Sequence, residues 1–172
     1  MGPISHSQVE ELRDALQRHS VQYLFIGKTG ALLHGFPDTT QDADVFVHKT
    51  ARNGQAAVNA LQELGFELTP QQIAEIRRGK DFVQLKNGPF DVDLVFAPDG
   101  IERFEDAWRR GADIDGYPVC SMDDIIASKR ASNRAKDRET LPRLRSFRDY
   151  LREPGRARHP RLPQLPARDQ ER

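Results

Sequence analysis

Hydrophobic positions along the chain follow two rhythms. Behind Ser5 and Ser7, either of which can cap a helix, Val9, Leu12, Ala15 and Leu16 recur at helical spacing and predict a helix over 8–19. An apolar run over 21–26 then predicts a strand that stops at Gly27. The short apolar segment 29–34 suits a buried helix under a sheet, and the polar stretch 35–41 reads as a loop. Asp42-Ala43-Asp44 leads into Val45-Phe46-Val47, a strand over 43–48. A helix over 53–64 turns Ala57, Leu61 and Leu64 inward and ends at Gly65. A short strand over 66–68 and a helix over 71–78 opened by Thr69-Pro70 follow. Strands 81–86 and 90–96 flank Asn87-Gly88-Pro89 as a hairpin. Beyond them come a helix over 102–110 with Phe104 and Trp108 one turn apart, and an edge strand over 117–119. Ser121 caps a helix through 132, and a last helix spans 135–151, with Pro142 expected to kink or break it.

Helices alternating with strands around one hairpin predict an α/β domain over 1–152. Its mixed sheet is flanked by helices, with the C-terminal helices on one side. From Glu153 onward the chain is rich in Pro and Arg, and 153–172 is expected to be a disordered tail.

Charge is balanced overall, 26 basic against 26 acidic residues, but it is unevenly spread. Residues 128–172 hold 14 Lys and Arg against 6 Asp and Glu, which leaves 12 and 20 for the rest. An acidic N-terminal part fits a cation site, and a basic C-terminal part fits phosphate groups. Cys120 is the single cysteine, so an internal disulfide is excluded and no Cys-based zinc site is suggested. No apolar run approaches the roughly 20 residues of a membrane span, and the N-terminus lacks a secretory apolar region. A cytoplasmic protein without membrane contact is expected.

The candidate chemistry sits in 21–47. Strand alternation puts Asp42 and Asp44 on one face, roughly 6.6 Å apart at the backbone. Two such carboxylates repel, and a divalent cation relieves them. Mg2+ takes one or two carboxylates and completes its shell with water and phosphate oxygens. The turn at Gly27 opens a helix whose free N–H groups favour an anion. A second acid pair, Asp91 and Asp93, shares a face of an apolar strand and needs a compensating charge. Gly27-Lys28-Thr29 does not make a P-loop, because position 22, where that motif has Gly, is Gln22.

Ile26-Gly27-Lys28, thirteen intervening residues and then Asp42-Ala43-Asp44 resemble the signature of polymerase-beta-like nucleotidyltransferases. That signature is Gly followed by Gly or Ser, about a dozen residues, then Asp-apolar-Asp. The stretch 121–137, with Lys129, Arg134 and Lys136-Asp137, resembles small abortive-infection-type nucleotidyltransferases linked to toxin–antitoxin systems. The resemblance implies Mg2+-dependent transfer of a nucleoside monophosphate from a nucleoside triphosphate (NTP) to a hydroxyl on RNA, protein or a small molecule. RNA or a cognate protein would then be a partner. It implies that Asp42, Asp44 and a third carboxylate hold two metals. Asp93 is the preferred third, with Asp91 the alternative. Gly27, Lys28, Thr29, Lys129, Arg134 and Lys136 would face the nucleotide. Lys28 departs from the family pattern, and its long stem is expected to hinder catalysis more than its charge helps. The alternative is a nucleotide- or partner-binding module with impaired turnover.

Overall fold

The computed structural model describes residues 2–156 and 158–166. One mixed sheet organises them. Its strands are β1 (Tyr23–Phe25), β2 (Asp42–Val47), β3 (Phe82–Leu85), β4 (Asp91–Val95), β5 (Ala112–Ile114) and β6 (Tyr117–Val119). They lie in the order β3-β4-β2-β1-β6-β5. Strand β2 runs antiparallel to β1 and parallel to β4, while β1 runs parallel to β6. The helices are α1 (His6–Arg18), α2 (Gly27–Leu33), α3 (Ala51–Glu63), α4 (Pro70–Arg78), α5 (Phe104–Arg110), α6 (Met122–Ser132) and α7 (Ala135–Leu151).

Alternation along the strands sorts the apolar residues into two cores. Val45, Val47, Val92 and Leu94 pack with Leu12 and Leu16 of α1, Leu61 of α3 and Ile76 of α4. Leu24 and Phe46 pack on the other face with Ala31 of α2, Phe104 of α5, Ile125 of α6 and Leu144 of α7. The α/β class, the mixed sheet and the placing of the C-terminal helices on one side are as the sequence predicts.

Three local expectations need correction. Residues 66–68 form no strand. Phe66 is buried and meets Phe90 edge-on, which holds the segment by a side chain rather than by a ladder. Residues 117–119 are not an edge, because β5 lies outside them. The two-residue link Asp115-Gly116, both at positive φ, joins β5 to β6 with Ile114 opposite Tyr117, the geometry that Asp-Gly favours. Pro142 does not break α7, which runs unbroken through an exposed proline. Its missing N–H falls on the solvent side, where the carbonyl it leaves is open to water.

Residues 158–166, expected within a tail, lie along the domain. Asp113 N–H donates to Pro160 O at 2.9 Å, Trp108 Nε1–H donates to Pro163 O at 2.7 Å, and Leu162 and Leu165 pack on the α5 side. The rest of that expectation, at 157 and 167–172, lies outside the described residues.

Candidate active site

The site starts from the register of two parallel strands. Asp42 lies beside Asp91, and Asp44 beside Asp93. Side-by-side residues of neighbouring strands point to the same face, so the four carboxylates share one face, with strands about 4.8 Å apart. It is the face that carries α2, α5, α6 and α7. The choice between Asp91 and Asp93 becomes a matter of position: Asp93 is the neighbour of Asp44, and Asp91 the neighbour of Asp42.

Gly27 and Thr29 fix where Asp44 sits. Gly27 has φ +62°, and a Cβ there would fall 2.5 Å from Asp44 Oδ2, so only glycine lets the carboxylate lie against the start of α2. Thr29 is buried. Its hydroxyl donates to Asp42 O at 3.0 Å and accepts from Asp44 N–H at 3.1 Å. Thr29, expected to face phosphate, instead ties α2 to β2 with its side chain.

Burial, then the charge of Asp93, pushes the Asp44 carboxyl up to about 7. Burial, then the charge of Asp42, pushes Asp93 up to about 6. Asp93 is 7% exposed, and its Oδ1, like that of Asp91, is buried without a hydrogen-bond partner. Carboxylates held at this cost fit an oxygen-preferring cation. Among the described residues no three His, Cys, Asp or Glu side chains stand close enough together to hold a metal as they lie. The acids are therefore neighbours on one face rather than a closed cage.

The cations are placed unequally. Lys129 is largely buried. Its Nζ lies 3.5 Å from Asp137 Oδ1, and its charge is felt at Asp44. Burial pulls its ammonium below the usual range, against the opposing pull of Asp137. Lys136 is exposed, and its charge is felt at both Asp44 and Asp93. Arg134 turns to Asp137, with Nε 2.8 Å from Oδ2. Lys28 is paired to the loop before β2: its Nζ lies 3.4 Å from Asp38 Oδ2, which Arg143 shares at 3.5 Å.

Asp137, which the sequence reading left without a role, is 1% exposed and also accepts from Ser132 Oγ at 2.6 Å. An acid three residues after Arg134 was the available signal. Asp38 carried none, being one polar residue in a loop. Cys120 is fully buried and burial pushes its thiol up, the environment of a small apolar core residue.

No protein-family model matches the chain, and no curated protein matches it. Two solved structures do. The lincosamide antibiotic adenylyltransferase LnuA, in its lincomycin-bound form, superposes with a TM-score of 0.60 at 14% identity, over 85% of this chain and 99% of that one. A Thermotoga maritima protein assigned as a nucleotidyltransferase gives 0.51 at 17% identity, over 81% and 91%. At these identities the likeness is one of architecture: the chain is folded as these nucleotidyltransferases are.

Proposed function

We propose that the chain is a Mg2+-dependent nucleotidyltransferase that moves a nucleoside monophosphate from an NTP to a hydroxyl acceptor. The observation that carries this reading is the pairing of Asp44 with Asp93 across β2 and β4, with Asp93 Oδ1 left without a partner. In this reading Asp42, Asp44 and Asp93 hold the metal, with Asp91 the reserve ligand. The ions when bound would neutralise phosphate charge and hold the triphosphate in line.

The chain's own residues supply the rest. Asp93, beside Asp44 on the shared face, would take the acceptor's proton. The acceptor oxygen then bonds to the α-phosphorus as the bond to the bridging oxygen breaks, and pyrophosphate leaves with that electron pair. Lys129 and Lys136 offset its charge. Gly27 keeps Asp44 in reach. Arg134 acts on Lys129 through Asp137.

LnuA is by name an adenylyltransferase of a lincosamide antibiotic, so ATP and small-molecule hydroxyls are the first substrates to test. A toxin–antitoxin role, with RNA or a cognate protein as partner in the cytoplasm, rests on the sequence resemblance of 121–137. A second reading, a nucleotide-binding module with impaired turnover, is favoured by one observation, the lack of three gathered carboxylates among the described residues.

The test is pyrophosphate release with each of the four NTPs and Mg2+, using lincomycin, total RNA or the protein itself as acceptor. Release that requires metal and acceptor supports transfer. Nucleotide binding without release in any combination supports the second reading.

A further inference from the structure

The segment 158–166 docks on the domain with a step of three residues. Pro160, Pro163 and Pro166 recur at that step, and Leu162 and Leu165 keep it too. A polyproline II helix has three residues per turn, so in that form the prolines share one edge and the leucines another. Exposure follows the same step: from Arg161 to Pro166 the two leucines are half-buried and the other four residues exposed. Both leucines pack against the core on the α5 side. The groove beneath them meets the backbone at the same interval. Asp113 N–H donates to Pro160 O at 2.9 Å, and three residues on, Trp108 Nε1–H donates to Pro163 O at 2.7 Å. Between them Ala112 bridges to Arg161. Gly111 makes the floor. A Cβ there would lie 3.1 Å from Leu162 Cδ1 and 2.8 Å from Val119 O, so a side chain at this position would crowd the leucine.

We propose that the groove between α5 and β5 is a recognition site for proline-rich peptides with leucines three residues apart. Segment 158–166 sits in it as a tethered ligand, and a partner protein's segment of the same chemistry binds there by displacing it. A segment that only covered apolar surface would need its leucines alone. Here a tryptophan N–H, a backbone N–H and a glycine floor meet main-chain carbonyls and every third side chain together, the way grooves for polyproline II segments bind. Such a ligand is stiff before it binds and loses little chain entropy on docking. The tethered segment is displaceable without undoing the fold, because its one tie to the sheet is an isolated bridge outside the six strands. A second copy offers the same ligand but must first release it from its own groove, so it gains nothing over the tethered one. A partner whose segment is free has no such cost. Strand β5 lies three strands from β2, roughly 14 Å, so the inference stands apart from the nucleotide site.

The test uses the full chain and a fluorescein-labelled peptide of residues 158–166, read by anisotropy. Leu162→Ser together with Leu165→Ser in the protein loosens its own segment. That double variant should bind the peptide about ten-fold more tightly than the wild type, because the tethered competitor is weakened. Emission of Trp108, the single tryptophan of the chain, should move to the red in the double variant and return on adding unlabelled peptide. Trp108→Phe in that background keeps a ring but removes the N–H, and should weaken the peptide about five-fold. A peptide with serine at both leucine positions should not bind. The wild type, which depends on no variant to fold, should bind the leucine peptide more weakly and the serine peptide not at all. No peptide binding to either protein, equal binding of the serine peptide, or binding without the return of the Trp108 emission overturns the proposal. A wild-type dimer that the peptide dissociates would make a second copy the occupant, and overturns it too.

Discussion

At the scale of single residues, the acid pair Asp44 and Asp93 makes the folded protein hold protons that the unfolded chain releases. Asp44 is raised from 3.8 to about 7, and Asp93 to about 6. The native state therefore binds more protons between about pH 4 and 7, and stability falls as pH rises through that window. In EDTA the melting temperature should be lower at pH 8 than at pH 5, and Asp44→Asn should flatten that slope. Mg2+ or Mn2+ competes with those protons, so it should raise the melting temperature more at pH 8 than at pH 5. An equal rise at both would mean that the ion binds elsewhere. Gly27→Ala sets a Cβ against Asp44 Oδ2 at a positive φ. It should destabilise by about 1 kcal/mol or more and weaken metal binding, checked by denaturant melts and Mn2+ titration. Lys28 departs from the family pattern yet has its partner in Asp38. Such a half-exposed pair contributes about 0–1 kcal/mol, so Lys28→Gly should change stability little. The sequence showed that position 28 was unusual. It did not show Asp38, because a helix residue and a loop residue ten apart have no fixed spacing.

At the scale of elements, the turn between α6 and α7 is held by one buried carboxylate. Asp137 accepts from Ser132 and Arg134 and pairs with Lys129, linking the end of one helix to the start of the next. Removing one partner of a buried pair leaves the other charge uncompensated. Asp137→Ala should therefore cost about 3 kcal/mol in chemical denaturation. Ser132→Ala, which removes one hydrogen bond, should cost about 1 kcal/mol. Similar losses for the two would mean that the charges at Lys129 and Arg134 find water instead. The helices here were legible from their caps and periods. The strand β5 is not legible from its hydrophobic pattern, because Ala112-Asp113-Ile114 is short and polar, and Asp115-Gly116 is its one strong signal. The parallel register that sets Asp44 beside Asp93 was not legible at all. It is decided by how β2 and β4 meet across some fifty residues of intervening chain, which no local pattern encodes.

At the scale of the whole molecule, some of the basic C-terminal residues are paired by the fold. Arg148 and Arg152 pair with Asp123, Arg143 with Asp38, and Arg134 with Asp137. The charge asymmetry that suggested a phosphate surface resolves in part into ion pairs, with Lys129 and Lys136 kept near the acids. The segment 158–166 covers the edge of β5, which would otherwise offer unpaired backbone to another chain. Its two leucines, isolated in a Pro-rich stretch, gave no helix or strand period to read. Deleting residues 158–172 should lower stability by about 1–3 kcal/mol through exposure of the surface under Leu162 and Leu165, read as a drop in melting temperature. An unchanged melting temperature would show that this segment adds no net stability.

The most direct test of nucleotidyl transfer by this site is a label-tracing experiment with NTP carrying 32P at the α or the γ position, on wild type and Asp44→Ala, with folding checked by circular dichroism. The expected result is α-label on the acceptor, γ-label in pyrophosphate, and neither in the folded Asp44→Ala protein. Transfer of the γ-label, or α-label transfer that survives in the folded Asp44→Ala protein, would contradict it.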